Sequence, residues 1–295
     1  MRFITLTLVV VLASVFAATA NASQLIDRNA SGVKLEVNSK GEALISYTAA
    51  GKVKHVLAWG AVNAIAPTHA RPQVELKLDY AGGWGKYHKE YWKTFKNSCG
   101  AYDGPALAWK TAACTAADGS HWALQAWQRM LPNYGVAPNA TQSVWELRVS
   151  HWTGDLPVLT IATDWAWRQW DHLYGTFTYA GNPVFGYRAT PAGNPLDSFG
   201  RNVYVDTFNS TYGKGWKREN SFLTHTNTGV FCYSFNPHGA HPAGKGTQYR
   251  ATVEGPGVTP DVMWQGTSPG AYDHDADLVA NEAISKLGDK QCRAN

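Results

Sequence analysis

The chain has 295 residues, with 26 Lys and Arg against 22 Asp and Glu for a net charge of +4, and 13 of its residues are tryptophan. So mild a balance, with only Lys86 to Lys96 approaching a cationic cluster, excludes the electrostatic footprint of a nucleic-acid-binding protein. The length suffices to bury a core without cross-links, and 4 cysteines with no C-x-x-C spacing exclude a zinc ribbon or a dithiol redox site.

Residues 1–22 read as an export signal. Arg2 supplies the charge, Phe3 to Phe16 the apolar run, and Ala20-Asn21-Ala22 a small-residue cleavage site, so Ser23 is expected to open the exported chain. The run is shorter than the ~20 residues that cross a bilayer, and no later stretch is long enough. No membrane span is therefore expected, and the protein is read as secreted, either extracellular or at the cell surface. An even cysteine count in an exported chain points to disulfides. Three pairings are possible, and proximity in sequence favours Cys99–Cys114 with Cys232–Cys292.

In chain order, Leu35 to Val37 precedes the turn Ser39-Lys40-Gly41, and Ala43 to Thr48 with Val53 to Trp59 form a hairpin about Ala49 to Lys52. Val74 to Tyr80 alternates as a strand with one wet face. Trp84, Tyr87, His88, Tyr91 and Phe95 have helical spacing and predict a short insertion between strands. The Asp118-Gly119 turn makes His121 to Met130 a strand. Leu131 to Thr141, with Pro132, Gly135 and Pro138, is the best internal break, read as a loop within one mainly-β domain spanning 23–295.

Beyond it, Trp145 to Val149, Val158 to Trp167, Gly175 to Tyr179, Val184 to Tyr187, Val203 to Phe208, Val230 to Phe235 and Gln248 to Glu254 read as strands. The turn Gly154 to Pro157 joins the first two, and Gly181-Asn182-Pro183 joins the next pair. One helix is predicted from about Asp277 to Leu287, capped by Asp275 or Asp277 and ended by Gly288. The fold class is mainly β: an antiparallel β-sandwich or jelly-roll-like fold with one short C-terminal helix.

Aromatic faces stack on sugar rings where polar groups beside them bond the hydroxyls. Trp84, Trp92, Trp152, Trp170 and Trp216 lie in polar, glycine-bearing stretches and, with Asn220, are the candidates for binding an extracellular polysaccharide or cell-wall glycan. Trp145, Trp165 and Trp167 read instead as core between sheets. The run Gly83 to Lys93 either binds an acidic polymer or presents a solvated face with its aromatics turned inward.

A rival reading is a glycan-cleaving enzyme. Tyr204 and Asp206 share a strand face, and Arg218, Glu219 and Asn220 lie on a glycine-rich approach. Asp206 and Glu219 would serve as acid and base, Tyr204 and Asn220 would position the sugar, and Arg218 would adjust a carboxylate by its charge. A lyase would use Tyr204, His225 and Arg218. The plainer reading is an ion pair of Arg218 or Arg201 that organises the loop. A cell-envelope structural protein, with all aromatics in the core, is the third class.

Asp273, Asp275 and Asp277 mimic a calcium loop, but Leu278 and Ile284 stand where glycine and glutamate are required, so helix capping is expected. His238 and His241 have no visible third ligand. Without a nucleophile elbow, a phosphate loop or a dinucleotide fingerprint, no cofactor or metal is expected.

Glu146-Leu147-Arg148 is similar to an element of jelly-roll alginate lyases, but the companion elements are absent and no role follows. The runs Trp145-Glu146-Leu147, His151-Trp152, Gly200-Arg201-Asn202, Gly215 to His225 and Gly257 to Asp261 resemble exported actinobacterial-type proteins of unassigned function. That resemblance implies secretion and no particular activity.

Overall fold

The computed structural model describes residues 23–65, 71, 73–129, 144–184, 202–223 and 228–292. The expected export signal, the loop at 131–141, Arg201, His225 and most of the strand expected at Val184 to Tyr187 lie outside them.

Two sandwich-like lobes follow each other along the chain, all of their strands antiparallel. The first comprises β1 (Gln24–Arg28), β2 (Ser31–Val37), β3 (Ala43–Ala49), β4 (Lys52–Gly60), β5 (Leu76–Asp79), β6 (Gly100–Ala101), β7 (Lys110–Thr115), β8 (His121–Gln128) and β9 (Trp145–Trp152). Its sheets run β2-β3-β4-β5 and β1-β9-β8-β7-β6. Side chains alternate along strands, so Ile45, Val56, Trp122, Leu124, Leu147 and Val149 meet between the sheets as one core. The β3–β4 hairpin closes on Ala50 and Gly51, with φ of 50° and 72°. That two-residue primed turn matches strand twist, and the glycine supplies the second left-handed position.

The second lobe contains β10 (Val158–Ala166), β11 (Trp170–Tyr179), β12 (Asn182–Pro183), β13 (Asn202–Ser210), β14 (Gly213–Leu223), β15 (Val230–Ser234), β16 (Gln248–Val253) and β17 (Val262–Thr267). One sheet is β10-β11-β12 with β15 also on β11, and the other is β14-β13-β16-β17. Leu173, Phe177, Val203, Val205, Phe231 and Val253 fill the space between them.

A bulge in β14 decides where the chemistry lies. Asn220 pairs with Val205 but Arg218 with Asp206, so Glu219 is the extra residue. Val203 and Val205 face the core of the second lobe. Tyr204 and Asp206 face the first lobe.

Helix α1 (Trp84–Tyr87) is the short insertion, followed by a 3-10 turn at Tyr91–Lys93. Helix α2 (His274–Lys286) starts before the expected Asp277, because Asp273 is the cap: its side chain accepts from the amides of Asp275 and Ala276. Ile284 of α2 packs with Tyr174, Val230 and Cys292. The disulfides are Cys99–Cys114 and Cys232–Cys292, the latter fastening the segment after α2 to β15. Among the described residues no helix is long and apolar enough to cross a membrane.

Candidate functional site

Between the lobes lies a recess of about 230 Å³ whose walls carry four tryptophans. Trp109 precedes β7, in the left-handed region at φ 57°. Trp127 is the penultimate residue of β8, Trp145 opens β9, and Trp216 comes from β14 of the other lobe. The Trp145 ring meets Trp109 edge-on, with centroids 5.8 Å apart at 72°. Arg250 of β16 lies between two indoles, its guanidinium carbon 4.6 Å from the Trp109 ring and 4.4 Å from Trp216. Such stacking fixes the guanidinium plane through the ring quadrupole.

Asp206 forms the polar floor. Arg218 Nε donates to Oδ1 at 2.5 Å, while Arg250 Nε and Nη2 donate to Oδ2 at 2.9 and 2.7 Å. Arg218 Nη2 donates to the carbonyl of Gln128 at 2.8 Å and so ties β14 to the end of β8. Among the described residues two donors of wall residues are buried without a partner, Arg218 Nη1 and Trp109 Nε1. Buried polar groups are normally satisfied. The recess therefore combines aromatic faces, a net positive charge from two guanidiniums on one carboxylate, and two buried donors that the described residues leave unbonded.

Of the six candidate binding residues, only Trp216 lies here. Trp152 is fully buried, beside the rings of Tyr102 and His121, which corrects the expectation that it is displayed. Asn220 is also buried and faces Tyr233 of β15 at 3.4 Å, so it points into the core of the second lobe. Trp92 stacks on His55 at 4.3 Å. Trp84 is exposed, but on α1 and away from the recess. Trp170 is half-buried where the β10–β11 hairpin begins its return. Of the three tryptophans assigned to the core, only Trp165 is buried, whereas Trp145 and Trp167 are 41 % and 58 % exposed. Trp109 and Trp127 were not legible as site residues, because a recess between lobes leaves no local spacing signal.

The proposed acid and base are not brought together. Asp206 faces the first lobe and is held by two guanidiniums, which is the ion-pair reading. Glu219 faces the opposite side of the same sheet, where the Tyr233 hydroxyl donates to it at 3.1 Å and His241 Nδ1 stands 3.7 Å away. Gly244 packs so closely that a Cβ there would collide with the carboxylate. Burial pushes Glu219 up to about 7, against the pull of the Tyr212 and Tyr233 hydroxyls and of His238. Tyr204 is also buried, accepting from Arg129 Nε at 2.8 Å and meeting the Trp127 ring edge-on.

The cationic aromatic run turns inward around Glu42. Lys86 binds this carboxylate at 2.6 Å and lies 4.2 Å over the Trp59 ring, and the Tyr87 hydroxyl also donates to Glu42. Burial opposes ionisation, yet bonds from Lys86, Tyr87 and Asn38 bring Glu42 down to about 2. His238 and His241 stack on each other at 4.7 Å, and among the described residues no three metal-ligating side chains gather. A larger cavity of about 570 Å³, lined by Leu107, Pro157, Val158, Leu159 and Met263, has no cationic side chain among the described residues of its walls.

Against protein-family models, curated proteins and solved structures, the chain has no significant match.

Proposed function

We propose that the protein is a secreted glycan-binding protein whose sugar site is the recess between the lobes. The observation that carries this reading is the convergence of Trp109, Trp145 and Trp216 with the buried, unpartnered donors Arg218 Nη1 and Trp109 Nε1. Indole faces take the apolar faces of pyranose rings, and the donors take ring or hydroxyl oxygens. The two disulfides are compatible with an extracellular protein, and an extracellular polysaccharide or cell-wall glycan is the partner proposed.

Tryptophan fluorescence during titration with plant, fungal and bacterial polysaccharides tests the reading. A saturable change with at least one of them is expected, and Trp145→Ala should weaken it about tenfold, the loss of one stacking contact of ~1 kcal/mol or slightly more. Retention of none of the polysaccharides would overturn the proposal. Undiminished binding by Trp145→Ala would move the site elsewhere.

A further inference from the structure

Ser23, the residue expected to open the exported chain, is fully buried at the heart of the molecule. Its hydroxyl donates to Asp261 Oδ1 at 2.5 Å and accepts from Arg148 Nε at 2.8 Å, and its carbonyl accepts from Arg148 Nη2. Asp261 belongs to the segment between β16 and β17, so these contacts join the start of the first lobe to the second.

Three buried carboxylates gather there: Glu146, Glu254 and Asp261, exposed by 4 %, 0 % and 2 %. Arg129 binds Glu146 and Glu254 at 3.1 and 2.7 Å, and Arg148 lies within 3.3 to 3.8 Å of all three. A further cation, Arg28, reaches Glu146 from a side chain that is 60 % exposed and solvent-screened. Among the described residues the buried part of the cluster thus sets two guanidiniums against three carboxylates. Asp261 shares Arg148, at 3.5 Å, with the two glutamates, and among the described residues Trp127 Nε1, Ser23 Oγ and the amide of Gly255 are its hydrogen-bond donors. Burial holds Asp261 above the usual carboxylate range against the pull of Arg148, and the neighbouring Glu254 adds to the rise. Among the described residues Glu254 Oε2 has no hydrogen-bond partner.

We propose that cleavage before Ser23 supplies the missing charge: the new α-ammonium of Ser23 enters the carboxylate cluster between the lobes and locks them together. The inference rests on the export reading. Hydrolysis of the Ala22–Ser23 bond by a signal peptidase adds water across it. Ala22 leaves with the carboxylate, and the Ser23 nitrogen, formerly a neutral amide, becomes an amine that takes up a proton. Only the N–Cα–Cβ–Oγ path separates this nitrogen from the oxygen already bonded to Asp261. A buried carboxylate is costly until a cation meets it, so a charge created by processing couples maturation to the closing of the lobe interface.

The test compares exported protein with a form that retains Ala20-Asn21-Ala22 ahead of Ser23. The exported form should begin at Ser23 by mass spectrometry and melt at least about 5 °C higher. Its α-amine should react with an amine-directed acylating reagent about tenfold more slowly than in the urea-unfolded chain, as a buried ammonium raised above its free pKa must. Asp261→Asn should shrink the gap between the two forms; where that variant fails to fold, the wild-type comparison and the labelling rate still decide. An N-terminus elsewhere would overturn the export reading together with this inference. A chain that begins at Ser23 but labels freely, or melts no higher than the extended form, would overturn the inference alone.

Discussion

Arg218 faces Asp206 across the β13–β14 ladder and holds its carboxylate at 2.5 Å, with both side chains 3 % exposed. Arg250 occupies the other oxygen of Asp206. This carboxylate is a structural anchor, and removing its charge leaves two guanidiniums without their counter-ion. Asp206→Asn should therefore lower stability by about 3–5 kcal/mol in urea denaturation. A cost below about 1 kcal/mol would mean that the Gln128 carbonyl and the Tyr204 ring hold Arg218, and the two indoles hold Arg250, without it.

The ion-pair reading of Arg218 was legible in the sequence because Asp206 lies on a strand with clean alternation. Its opposite number was not. β14 carries Gly213, Gly215 and a run of charged residues, so an 11-residue strand read as a loop, and its bulge at Glu219 put that carboxylate on the wrong face for a cleft. β1, β7 and β17 were missed as well. Their alternation is short or interrupted, and their place is set by partners distant in sequence, as when β1 joins β9. The mainly-β class, the two disulfides and the C-terminal helix were readable, because each has a local signal: period-two patterning, cysteine spacing and an Asp–Gly frame.

Glu219 makes stability depend on pH in a direction opposite to that of an ordinary ion-paired carboxylate. Its folded value of about 7 exceeds the ordinary 4.5, so the folded protein keeps a proton that the unfolded chain releases. The contribution is complete below pH 4.5 and is lost as pH rises to about 7, by roughly 3 kcal/mol in all. Glu219→Gln should remove this slope, with Tyr212, Tyr233, His238 and His241 unchanged around it. Urea denaturation at about pH 5 and about pH 8 measures it. Parallel pH profiles for variant and wild type would refute the assignment.

The two disulfides should differ in value. Cys99–Cys114 closes 15 residues and Cys232–Cys292 closes 60, so loop entropy gives about 3 and about 4 kcal/mol respectively. The second also holds α2 against Tyr174 and Val230. Serine pairs at each bridge, compared by denaturation, should show the larger loss at Cys232 and Cys292, and denatured, unreduced protein should show no free thiol. Equal losses would indicate that packing alone retains the helix.

Exposure separates the tryptophans into two classes with opposite expected phenotypes. Trp152 has no exposed surface and packs beside Tyr102 and His121, so Trp152→Ala opens a cavity in the first lobe. It should cost about 3–5 kcal/mol and alter binding only through loss of fold. Trp145 is 41 % exposed at the mouth of the recess, touching Trp109 edge-on. Its replacement by alanine should cost less than about 1.5 kcal/mol, the worth of one aromatic pair, because no cavity is sealed behind it. Denaturation curves and polysaccharide titrations on both variants give a two-by-two outcome: Trp152→Ala unstable, Trp145→Ala stable but weak in binding. A stable Trp152→Ala protein would contradict the packing of the first lobe. A Trp145→Ala protein destabilised as much as Trp152→Ala would show that the recess is a structural seam between the lobes rather than a site open to a ligand.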